Sequence, residues 1–309
     1  MAAKDTKYIQ SPLNYTGGKY KLLPQILPLF PEDISTFVDL FCGGGNVGIN
    51  VRADRILLND SNSYVTSILK LFQKTTSSEL ERMIFKIIKE YALSLSTENG
   101  YDYYGCQSAD GLATYNRERF NKLREDFNNR KKKDEKYYCM LYVLIIYAFN
   151  NQLRFNSSGE FNLPVGKRDF NIKMRNKLST FVNALHNKGN VEIINTDFRK
   201  INPHNLTPED FVYADPPYLV TCATYNEQNA WNRDSEVSLL NYLDSLTRLD
   251  IHFALSNVLS NGEKQNDILI EWLERHPEYQ VHNLKFDYSN SNYQKKDKGS
   301  ASEVLITNY

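Results

Sequence analysis

The sequence predicts an α/β fold in which a mainly helical insertion interrupts a sheet. Short apolar stretches typical of buried strands occur in the first sixty residues and again after Gly189. Between residues 73 and 189, apolar residues instead recur at helical spacing. We therefore predict that residues 1–72 and 190–309 form the two parts of one sheet domain, and that residues 73–189 form a second domain inserted between them.

The composition is that of an ordinary globular protein with balanced charges. The 309 residues include 37 basic and 37 acidic side chains, so the overall charge does not by itself predict binding to nucleic acid. Four cysteines stand far apart, at positions 42, 106, 139 and 222, which argues against a zinc or disulfide framework and favours a cytoplasmic protein. The N-terminus has no signal-peptide core, and the most apolar run, residues 137–149, is too short to span a bilayer.

Paired glycines near the N-terminus precede a predicted helix. The stretch Asn14-Tyr15-Thr16-Gly17-Gly18-Lys19 permits close approach of the backbone to a ligand. The apolar residues at positions 22, 23, 26 and 27 have the spacing of an amphipathic helix. On these residues alone, an ordinary glycine turn with Lys19 in solvent is favoured.

A predicted strand at residues 36–42 contains Asp39 near its end and runs into a glycine loop and a helix-like segment. This order is typical of a nucleotide-binding cradle. Gly43, Gly45 and Gly48 also satisfy G-x-G-x-x-G, which is a weak signal when it occurs alone. Asp39 does not belong to that fingerprint, and it predicts a carboxylate near an amine or hydroxyl of the ligand rather than near a pyrophosphate.

A second predicted strand, residues 56–58, ends at Asn59 and Asp60. An acid at this place binds ribose hydroxyls in dinucleotide-binding sheets. Residues 61–73 look helical, so Asp60 is also a candidate N-cap, and the two roles are compatible.

The inserted segment combines predicted helices with one hairpin. Ser78 and Glu81 have the spacing of a capping box. Helical spacing covers residues 115–129, 137–149 and 172–186. The charged run at residues 130–136 is typical of a solvated turn.

The hairpin is predicted around the turn Asn156-Ser157-Ser158-Gly159, which two short aromatic stretches flank. It carries Arg154, Lys167 and Arg168. Arginine is the usual bidentate reader of guanine in the major groove. A surface hairpin with ordinary charges is the alternative.

Strands and helices alternate again after Gly189. Strands are predicted at residues 191–195, 211–213, 251–256, 279–286 and 303–306, the last closing the sheet, and helices around residues 239–246 and 268–273. Asp197 and Phe198 follow the first of these strands. Residues 287–302 are polar, and we predict that they are mobile.

The loop Asp215-Pro216-Pro217-Tyr218 carries the most specific chemistry in the chain. The prolines end the strand before it, because neither can donate to a ladder. The Asp215 carboxylate and the Pro216 carbonyl can accept the two N–H bonds of an exocyclic amine, while Tyr218 stacks on the ring that carries it. The loop follows a strand's carboxyl end, where open α/β sheets bind ligands. A turn with a capping Asp is the alternative.

Four motifs in one order resemble the Dam-type DNA adenine N6-methyltransferases, the D12 class of the α group, and above all its phage-borne members. Tyr15-Thr16-Gly17-Gly18-Lys19 is similar to the family's N-terminal cofactor motif, and residues 37–44 are similar to its AdoMet loop. Residues 154–168 resemble its DNA-reading hairpin, and Asp215-Pro216-Pro217-Tyr218 matches its catalytic motif. The resemblance covers nearly the whole chain.

The resemblance implies a Rossmann-like, AdoMet-dependent methyltransferase sheet with an inserted, mainly helical target-recognition domain that carries a β-hairpin. It implies that S-adenosylmethionine is held by Tyr15, Thr16, Gly17, Gly18, Lys19, Asp39, Phe41, Gly43, Gly45 and Asp60, with Asp197 and Phe198 near its adenine. The implied catalytic residues are Asp215, Pro216, Pro217 and Tyr218. The implied DNA contacts are Asn150 as a wedge, Arg154 on a guanine, Pro164 on a thymine, and Asn156, Lys167 and Arg168.

The implied substrate is an adenine flipped out of double-stranded DNA, within the sequence GATC. Asn14 departs from the pattern, because cellular members usually carry a lysine at this place that contacts a base. The resemblance implies no metal and no membrane, and a monomer or weak dimer on DNA in the cytoplasm of a bacterium or a phage-infected host cell.

Three other functions are weighed against this one. An NAD-type oxidoreductase would use the glycines at positions 43, 45 and 48, but it leaves the Asp215 loop and the hairpin unexplained. An amino-methyltransferase acting on RNA or on a protein amide would use the same Asp215 loop. A DNA-binding protein without catalytic activity would not need the complete Asp-Pro-Pro-Tyr motif.

Overall fold

The chain divides into two compact units. The computed structural model describes residues 8–15, 17–106, 110–220, 231–285 and 302–309. The sheet unit comprises Lys19–Ser61 and Asn190–Tyr309, and the helical unit comprises Met1–Gly18 and Asn62–Gly189. The polar stretch predicted to be mobile, residues 287–302, lies outside the described residues except for Ser302, which begins a strand.

Eight strands form one sheet in the described part of the sheet unit. They are β1 (Thr36–Asp39), β2 (Arg55–Asn59), β3 (Val191–Ile194), β4 (Phe211–Ala214), β5 (His252–Asn261), β6 (Lys264–Gln265), β7 (Gln280–Asn283) and β8 (Ser302–Thr307). Strands β1 to β5 pair in parallel, and β6, β7 and β8 join in antiparallel pairs. The predicted α/β fold and all the strands predicted for its sheet are confirmed. The closing strand β8 lies between β5 and β7 rather than at the edge.

The strand order reverses between β1 and β4. The order across the sheet is β3-β2-β1-β4-β5-β8-β7, so the chain first builds outward on one side of β1 and then on the other. Asp39 pairs with Tyr213 in the parallel ladder between β1 and β4. In open α/β sheets the crevice at the carboxyl ends of such strands binds ligands. Asp39 and the loop after β4 therefore lie at the part of the sheet where a ligand site is expected.

Nine α-helices complete the described chain. They are α1 (Leu23–Ile26), α2 (Ser63–Lys74), α3 (Ser77–Glu90), α4 (Ser96–Asn99), α5 (Ala113–Asn129), α6 (Glu135–Tyr147), α7 (Ile172–Asn187), α8 (Arg233–Arg248) and α9 (Asp267–Arg275). Helices α1, α8 and α9 belong to the sheet unit, and α2 to α7 to the helical unit.

Both faces of β4 are covered by apolar side chains. Phe211 and Tyr213 point to one face, where their rings lie 4.8 and 5.6 Å from the ring of Phe30. Val212 and Ala214 point to the other face and share a core with α8 and α9. All four strand residues are buried. Because the strand is packed on both sides, the loop that follows it starts from a fixed position.

Two predicted helices of the sheet unit are wrong. The segment around residues 22–27 holds only the single turn α1 between two 3-10 turns, because Pro24 and Pro28 lack the N–H that a continuing helix needs. The segment after the glycine loop forms consecutive turns over residues 43–50 without a helix. Gly43 and Gly45 have φ angles of 48° and 78°, and these left-handed conformations interrupt a helical backbone.

Helix starts in the helical unit are set by local side chains. Asn62, and not Asp60, caps α2 by accepting a hydrogen bond from the Tyr64 N–H. The capping box of α3 is formed by Thr76 and Glu79. The predicted N-cap at Asp60 and the predicted box at positions 78 and 81 are therefore wrong, each placed two residues away from the residue that caps.

The predicted hairpin is present but lacks regular strands. Two isolated antiparallel bridges hold it, between Ala148 and Val165 and between Phe155 and Phe161. The side chain of Asn128, near the end of α5, donates to the Phe161 carbonyl at 3.2 Å and accepts from the Phe161 N–H at 2.9 Å. The hairpin is therefore held against α5 as well as by its own bridges.

The two units differ from the predicted domain division on the N-terminal side. Residues up to Gly18 and the whole of α2 group with the helices rather than with the sheet. The ring of Phe72 in α2 explains the second difference, because it packs against Tyr142 of α6 at 5.1 Å and Phe181 of α7 at 6.2 Å. One boundary between the units falls after Gly189, and the assignment of catalytic and target-recognition roles to residues 1–72, 73–189 and 190–309 stays a prediction.

We expect Gly48→Ala to lower the free energy of unfolding by about 1–3 kcal/mol, the range for overpacked cores. A Cβ at residue 48 would lie 2.3 Å from the Leu58 Cδ2 atom. Urea unfolding measures the loss. In a Leu58→Ala background the same substitution should be less destabilising, because the clashing atom is gone; an equal loss in both backgrounds would contradict the packing explanation.

Candidate active site

Asp39 places a buried carboxylate with a free acceptor at the end of β1. Its side chain is 1% exposed, and its Oδ1 atom has no hydrogen-bond partner among the described residues. Burial raises the pKa of Asp39 well above its ordinary value, the charges of Asp215 and Asp60 raise it further, and backbone hydrogen bonds from Phe41 and Gly48 lower it. A buried polar atom without a partner is unfavourable unless a ligand satisfies it.

The end of β2 holds the glycine loop in place. The Asp60 Oδ2 atom accepts a hydrogen bond from the Gly43 N–H at 2.9 Å. The Cys42 N–H donates to the Asn59 carbonyl at 2.7 Å, and the Asn59 side chain donates to the Leu40 carbonyl at 2.9 Å. Asp60 is therefore a structural anchor of the loop.

Three aromatic rings form one wall beside the glycine loop. The ring of Phe41 lies 5.3 Å from Phe198 and 5.6 Å from Trp231, and the latter two lie 6.0 Å apart. Asp197 precedes Phe198, and its carboxylate is bound by the Arg199 guanidinium. The hydrogen bond from Arg199 holds the pKa of Asp197 below its ordinary value.

The Asp215 carboxylate, half-buried itself, is at the centre of an ionic cluster whose other charged members are buried. The Lys19 Nζ atom lies 2.7 Å from its Oδ1 atom and 2.8 Å from its Oδ2 atom. The Tyr218 hydroxyl lies 3.0 Å from both Asp215 Oδ1 and Glu303 Oε1. The Lys19 Nζ atom is also 3.6 Å from Glu303 and 5.0 Å from the centre of the Tyr218 ring.

Two opposing effects act on the ionisation of Asp215. Burial raises its pKa, Lys19 and the Tyr218 hydroxyl lower it, and the charge of Glu303 raises it, with a net rise. Burial also raises the pKa of the Tyr218 phenol, as do the neighbouring carboxylates, so this hydroxyl is a neutral hydrogen-bond donor. The prolines between them differ in exposure: Pro216 is buried and Pro217 is exposed.

The N-terminal motif is divided between the two units. Lys19 belongs to the sheet unit, whereas Tyr15, Gly17 and Gly18 belong to the helical unit. The Gly18 N–H donates to the Tyr15 carbonyl at 3.1 Å, closing a turn in which Gly17 has a φ angle of 80°. Thr16 lies outside the described residues.

The predicted DNA-contacting residues lie on one segment of the helical unit. Asn150, Arg154, Pro164, Lys167 and Arg168 are exposed. The Arg154 Nε atom donates to the Asn162 side chain at 2.9 Å. Asn156 closes the tip of the hairpin through hydrogen bonds with Glu160 at 2.8 and 2.9 Å.

Asn150 has a backbone conformation that few residues other than glycine adopt. Its φ angle is 56°, that of Asn151 is 53°, and its carbonyl accepts a hydrogen bond from the Asn14 side chain at 2.8 Å. Two consecutive left-handed residues other than glycine indicate a strained segment. The strain is located where the resemblance implies a wedge.

The structure thus brings part of the predicted site together within the sheet unit. That part comprises Lys19, Asp39, Phe41, Gly43, Gly45, Asp60, Asp197, Phe198, Asp215, Pro216, Pro217 and Tyr218. Glu303 and Trp231 are additions that sequence reasoning missed, and no motif marks either of them. The stacked pair of Tyr64 and Phe155, with centroids 4.0 Å apart beside the turn of the hairpin, was missed as well.

The mostly parallel sheet carries a glycine loop after β1 and the Asp-Pro-Pro-Tyr loop after β4, the two strands between which the strand order reverses. A model of the family described as D12 class N6 adenine-specific DNA methyltransferase matches residues 15–290. The match covers most of the chain and all four motifs. The chain belongs to this family, as the resemblance predicts.

Curated relatives match the chain over different lengths. It is 43% identical to type II methyltransferase M.FokI of Planomicrobium okeanokoites, over 99% of this chain and 44% of the relative. It is 42% identical to modification methylase StsI of Streptococcus sanguinis, over 98% of this chain and 43% of the relative. A DNA N-6-adenine-methyltransferase of Escherichia phage P1 is 26% identical over 69% of this chain and 24% of the relative. The chain therefore spans less than half the length of each of these proteins, and its similarity to the phage protein is the weakest of the three.

Two features are absent from the described ranges: membrane-spanning helices and metal-binding clusters. Within them, no helix is long and apolar enough to cross a membrane. The same ranges hold no group of three or more His, Cys, Asp and Glu side chains arranged to bind a metal ion.

We expect Asp39→Asn to raise the thermal midpoint of the ligand-free protein at pH 8. The substitution replaces a buried carboxylate by a neutral group of similar shape. An acid whose pKa is raised by folding destabilises the protein once the pH rises above the ordinary pKa of that acid. The gain in thermal midpoint should therefore shrink as the pH falls towards 5. Calorimetry across this pH range measures both effects.

Asp197→Asn is the matched control for this measurement. The pKa of Asp197 is lowered by folding, so its carboxylate stabilises the protein at neutral pH and stops doing so under acid conditions. The control should therefore lose stability at pH 8. A fall in the thermal midpoint of Asp39→Asn at every pH would contradict this explanation of Asp39.

Proposed function

We propose that this protein transfers a methyl group to the exocyclic N6 amine of an adenine in double-stranded DNA. The observation that carries the proposal is the Asp215 loop, in which a carboxylate paired with Lys19 at 2.7 Å ends a central strand and is followed by the Pro216 carbonyl and the Tyr218 ring. Membership in the D12 class supports the same reaction.

The loop suits an adenine amine because the nitrogen lone pair of that amine is not readily available for reaction. Its lone pair is delocalised into the ring, which makes it a weak nucleophile. Hydrogen bonds from its two N–H groups to Asp215 and to the Pro216 carbonyl localise the lone pair on nitrogen. Each carboxylate oxygen has more than one acceptor site, so the contacts with Lys19 leave Asp215 able to accept. Asp215 need not be a strong base, since the amine becomes acidic once it is methylated.

Tyr218 completes the arrangement by holding the ring. Stacking on an aromatic face orients a flat base, and orientation of the amine accounts for most of the acceleration in a direct transfer. No covalent enzyme intermediate is needed. The adenine must first leave the duplex, which takes a few kcal/mol.

S-Adenosylmethionine is the methyl donor in this proposal, and when bound it supplies an electrophilic methyl group on its sulfonium. The residues fit it on one observation in particular: the buried Oδ1 atom of Asp39 has no partner among the described residues and can accept from a ligand donor. Phe41 and Phe198 offer an apolar wall, and Asp60 lies at the end of β2, where an acid binds ribose hydroxyls in dinucleotide-binding sheets. The contacts of Lys19 with Asp215 support a role for Lys19 on the carboxylate rather than on the cofactor. Roles for Tyr15, Thr16, Gly17 and Gly18 stay predictions.

An oxidoreductase that binds NAD is disfavoured by the glycine loop. Dinucleotide sites place the pyrophosphate at the N-terminus of the helix that follows the glycines. In this protein residues 43–50 form turns and no helix. The observation that suggested NAD therefore does not support it.

We expect Asp215→Ala to abolish methylation of duplex DNA while binding of S-adenosylmethionine stays within a few-fold. The carboxylate contacts the amine in this proposal and does not hold the cofactor. Transfer of labelled methyl groups measures the first quantity and calorimetry the second. Glu209→Gln removes an exposed acid from the turn before β4 and should leave both unchanged. Substantial turnover by Asp215→Ala would reject the role, and labelling of RNA or protein instead of DNA by the wild type would reject the substrate.

We expect Arg154→Ala to weaken binding by about 1–3 kcal/mol and to relax the preference for one guanine. Its guanidinium lies on the exposed hairpin, held by Asn162. Lys167→Ala is the comparison. Loss of a phosphate contact weakens binding to all sequences alike and reduces the salt dependence of binding. Competition binding with single-base variants of the target separates the two. An equal loss for all sequences would make Arg154 a phosphate contact.

The target sequence is a separate part of the proposal. GATC, which the resemblance implies, stays a prediction without support from the comparisons, because the relatives with 43% and 42% identity are named as a type II methyltransferase and a modification methylase. Those names support a modification role. Mapping methylated adenines on plasmid DNA tests GATC directly. The cytoplasmic location and the monomeric or weakly dimeric state also stay predictions.

A further inference from the structure

A second buried carboxylate lies in the Asp215 cluster, and no motif accounts for it. Glu303 is 5% exposed, and its Oε1 atom lies 3.0 Å from the Tyr218 hydroxyl and 3.6 Å from the Lys19 Nζ atom. Buried carboxylates are rare unless they are paired. The cation beside Glu303 is Lys19. Lys19 is already in contact with both Asp215 oxygens.

The topology explains why an acid from the end of the chain reaches this cluster. Glu303 is the second residue of β8, and it pairs with Val258 in the antiparallel ladder with β5. Because β8 runs against the parallel strands, its beginning lies at the edge where they end. Residues at the start of β8 therefore share an edge with Asp215, which follows β4.

A count of charges and protons shows what Glu303 does there. Among the described residues, the cluster has one ammonium group for two carboxylates, and the Tyr218 hydroxyl oxygen lies 3.0 Å from an oxygen of each. One hydroxyl proton cannot bond fully to two acceptors at once. Glu303 therefore competes with Asp215 for both the Lys19 charge and the Tyr218 proton, and it fixes the outer end of the Tyr218 ring.

We propose that Glu303 is a positioning residue of this site, which orients the Tyr218 ring and sets the share of the Lys19 charge that Asp215 receives. The proposal rests on the proposed methyl transfer, because it assigns Tyr218 and Asp215 to the substrate. It adds a residue that acts only through them.

The direction of the electrostatic effect follows from the groups around Asp215. In the part of the chain that the structure describes, these are Lys19, Asp39 on β1, Tyr213 on β4, Tyr218 in the loop and Glu303 on β8. Among them the Glu303 charge raises the pKa of Asp215. Removing that charge lowers the pKa of Asp215. The acid limb of the reaction, below which Asp215 is protonated and cannot accept an N–H, then moves to lower pH.

Two substitutions separate the charge from the orientation. Glu303→Gln keeps an acceptor for the Tyr218 hydroxyl and removes the charge, so the acid limb of the kcat profile should shift to lower pH. Glu303→Leu removes both, so kcat should fall by roughly tenfold to a hundredfold, the loss typical of a misplaced reacting group, with little change in the KM for DNA. Glu303→Gln should retain more activity than Glu303→Leu at every pH. Glu263→Gln, an exposed acid just beyond β5, is the control and should change neither.

A readout without catalysis keeps the test independent of the proposed function. In the ligand-free protein, the stability of Glu303→Gln relative to wild type should rise with pH. The raised pKa of Asp215 lowers stability as the pH rises, and the variant removes the Glu303 charge that contributes to that rise. Wild type that transfers no methyl group to DNA would reject the proposed function and leave this readout standing. An unmoved acid limb, equal activity of the two Glu303 variants and a relative stability that does not depend on pH would each overturn the role of Glu303.

Discussion

The ion pair between Lys19 and Asp215 is the interaction on which the site depends. A carboxylate at the end of a strand that is packed on both faces is unfavourable as an ion, and burial raises its pKa. The Lys19 ammonium, with its side chain 4% exposed and its Nζ atom within 2.8 Å of both Asp215 oxygens, opposes that effect. Breaking such a pair by removing one partner typically costs about 3–5 kcal/mol. The same contact thus ties Lys19 to the loop that follows β4 and, in the proposed function, keeps the Asp215 carboxylate ionised as an acceptor for an amine.

The acids around this pair differ in how many partners their carboxylate oxygens have. Asp60 is satisfied by the Gly43 N–H and Asp197 by Arg199, so both serve the fold as well as any ligand. Asp39 keeps a buried oxygen without a partner among the described residues, and Glu303 shares the Lys19 ammonium with Asp215. Local rules of satisfaction are broken mainly at functional sites. Asp39, with its unpartnered oxygen among the described residues, supports the proposed site at the ends of β1 and β4 better than the glycine fingerprint does.

Sequence reasoning predicted those features that depend on neighbours along the chain. The strand before Asp215 and the acid at the end of β1 follow from apolar runs and turn residues, and the α/β fold follows from their alternation. The N-cap assigned to Asp60 was wrong because Asn62 competes for the same N–H groups two residues later. Glu303 could not be predicted, since its place depends on an antiparallel strand inserted between β5 and β7. The target sequence could not be predicted either, because it depends on contacts with bases and not on the chain alone.

A crystal structure with a duplex target and S-adenosylhomocysteine tests the central claim most directly, because it shows what the Asp215 loop holds. The account predicts an adenine outside the duplex, stacked on Tyr218, with its N6 atom within about 3.2 Å of both Asp215 and the Pro216 carbonyl oxygen. It also predicts that the contact between Lys19 and Asp215 remains. An adenine that stays paired in the duplex, or an N6 atom bound by other groups while Asp215 faces Lys19 alone, would contradict the account.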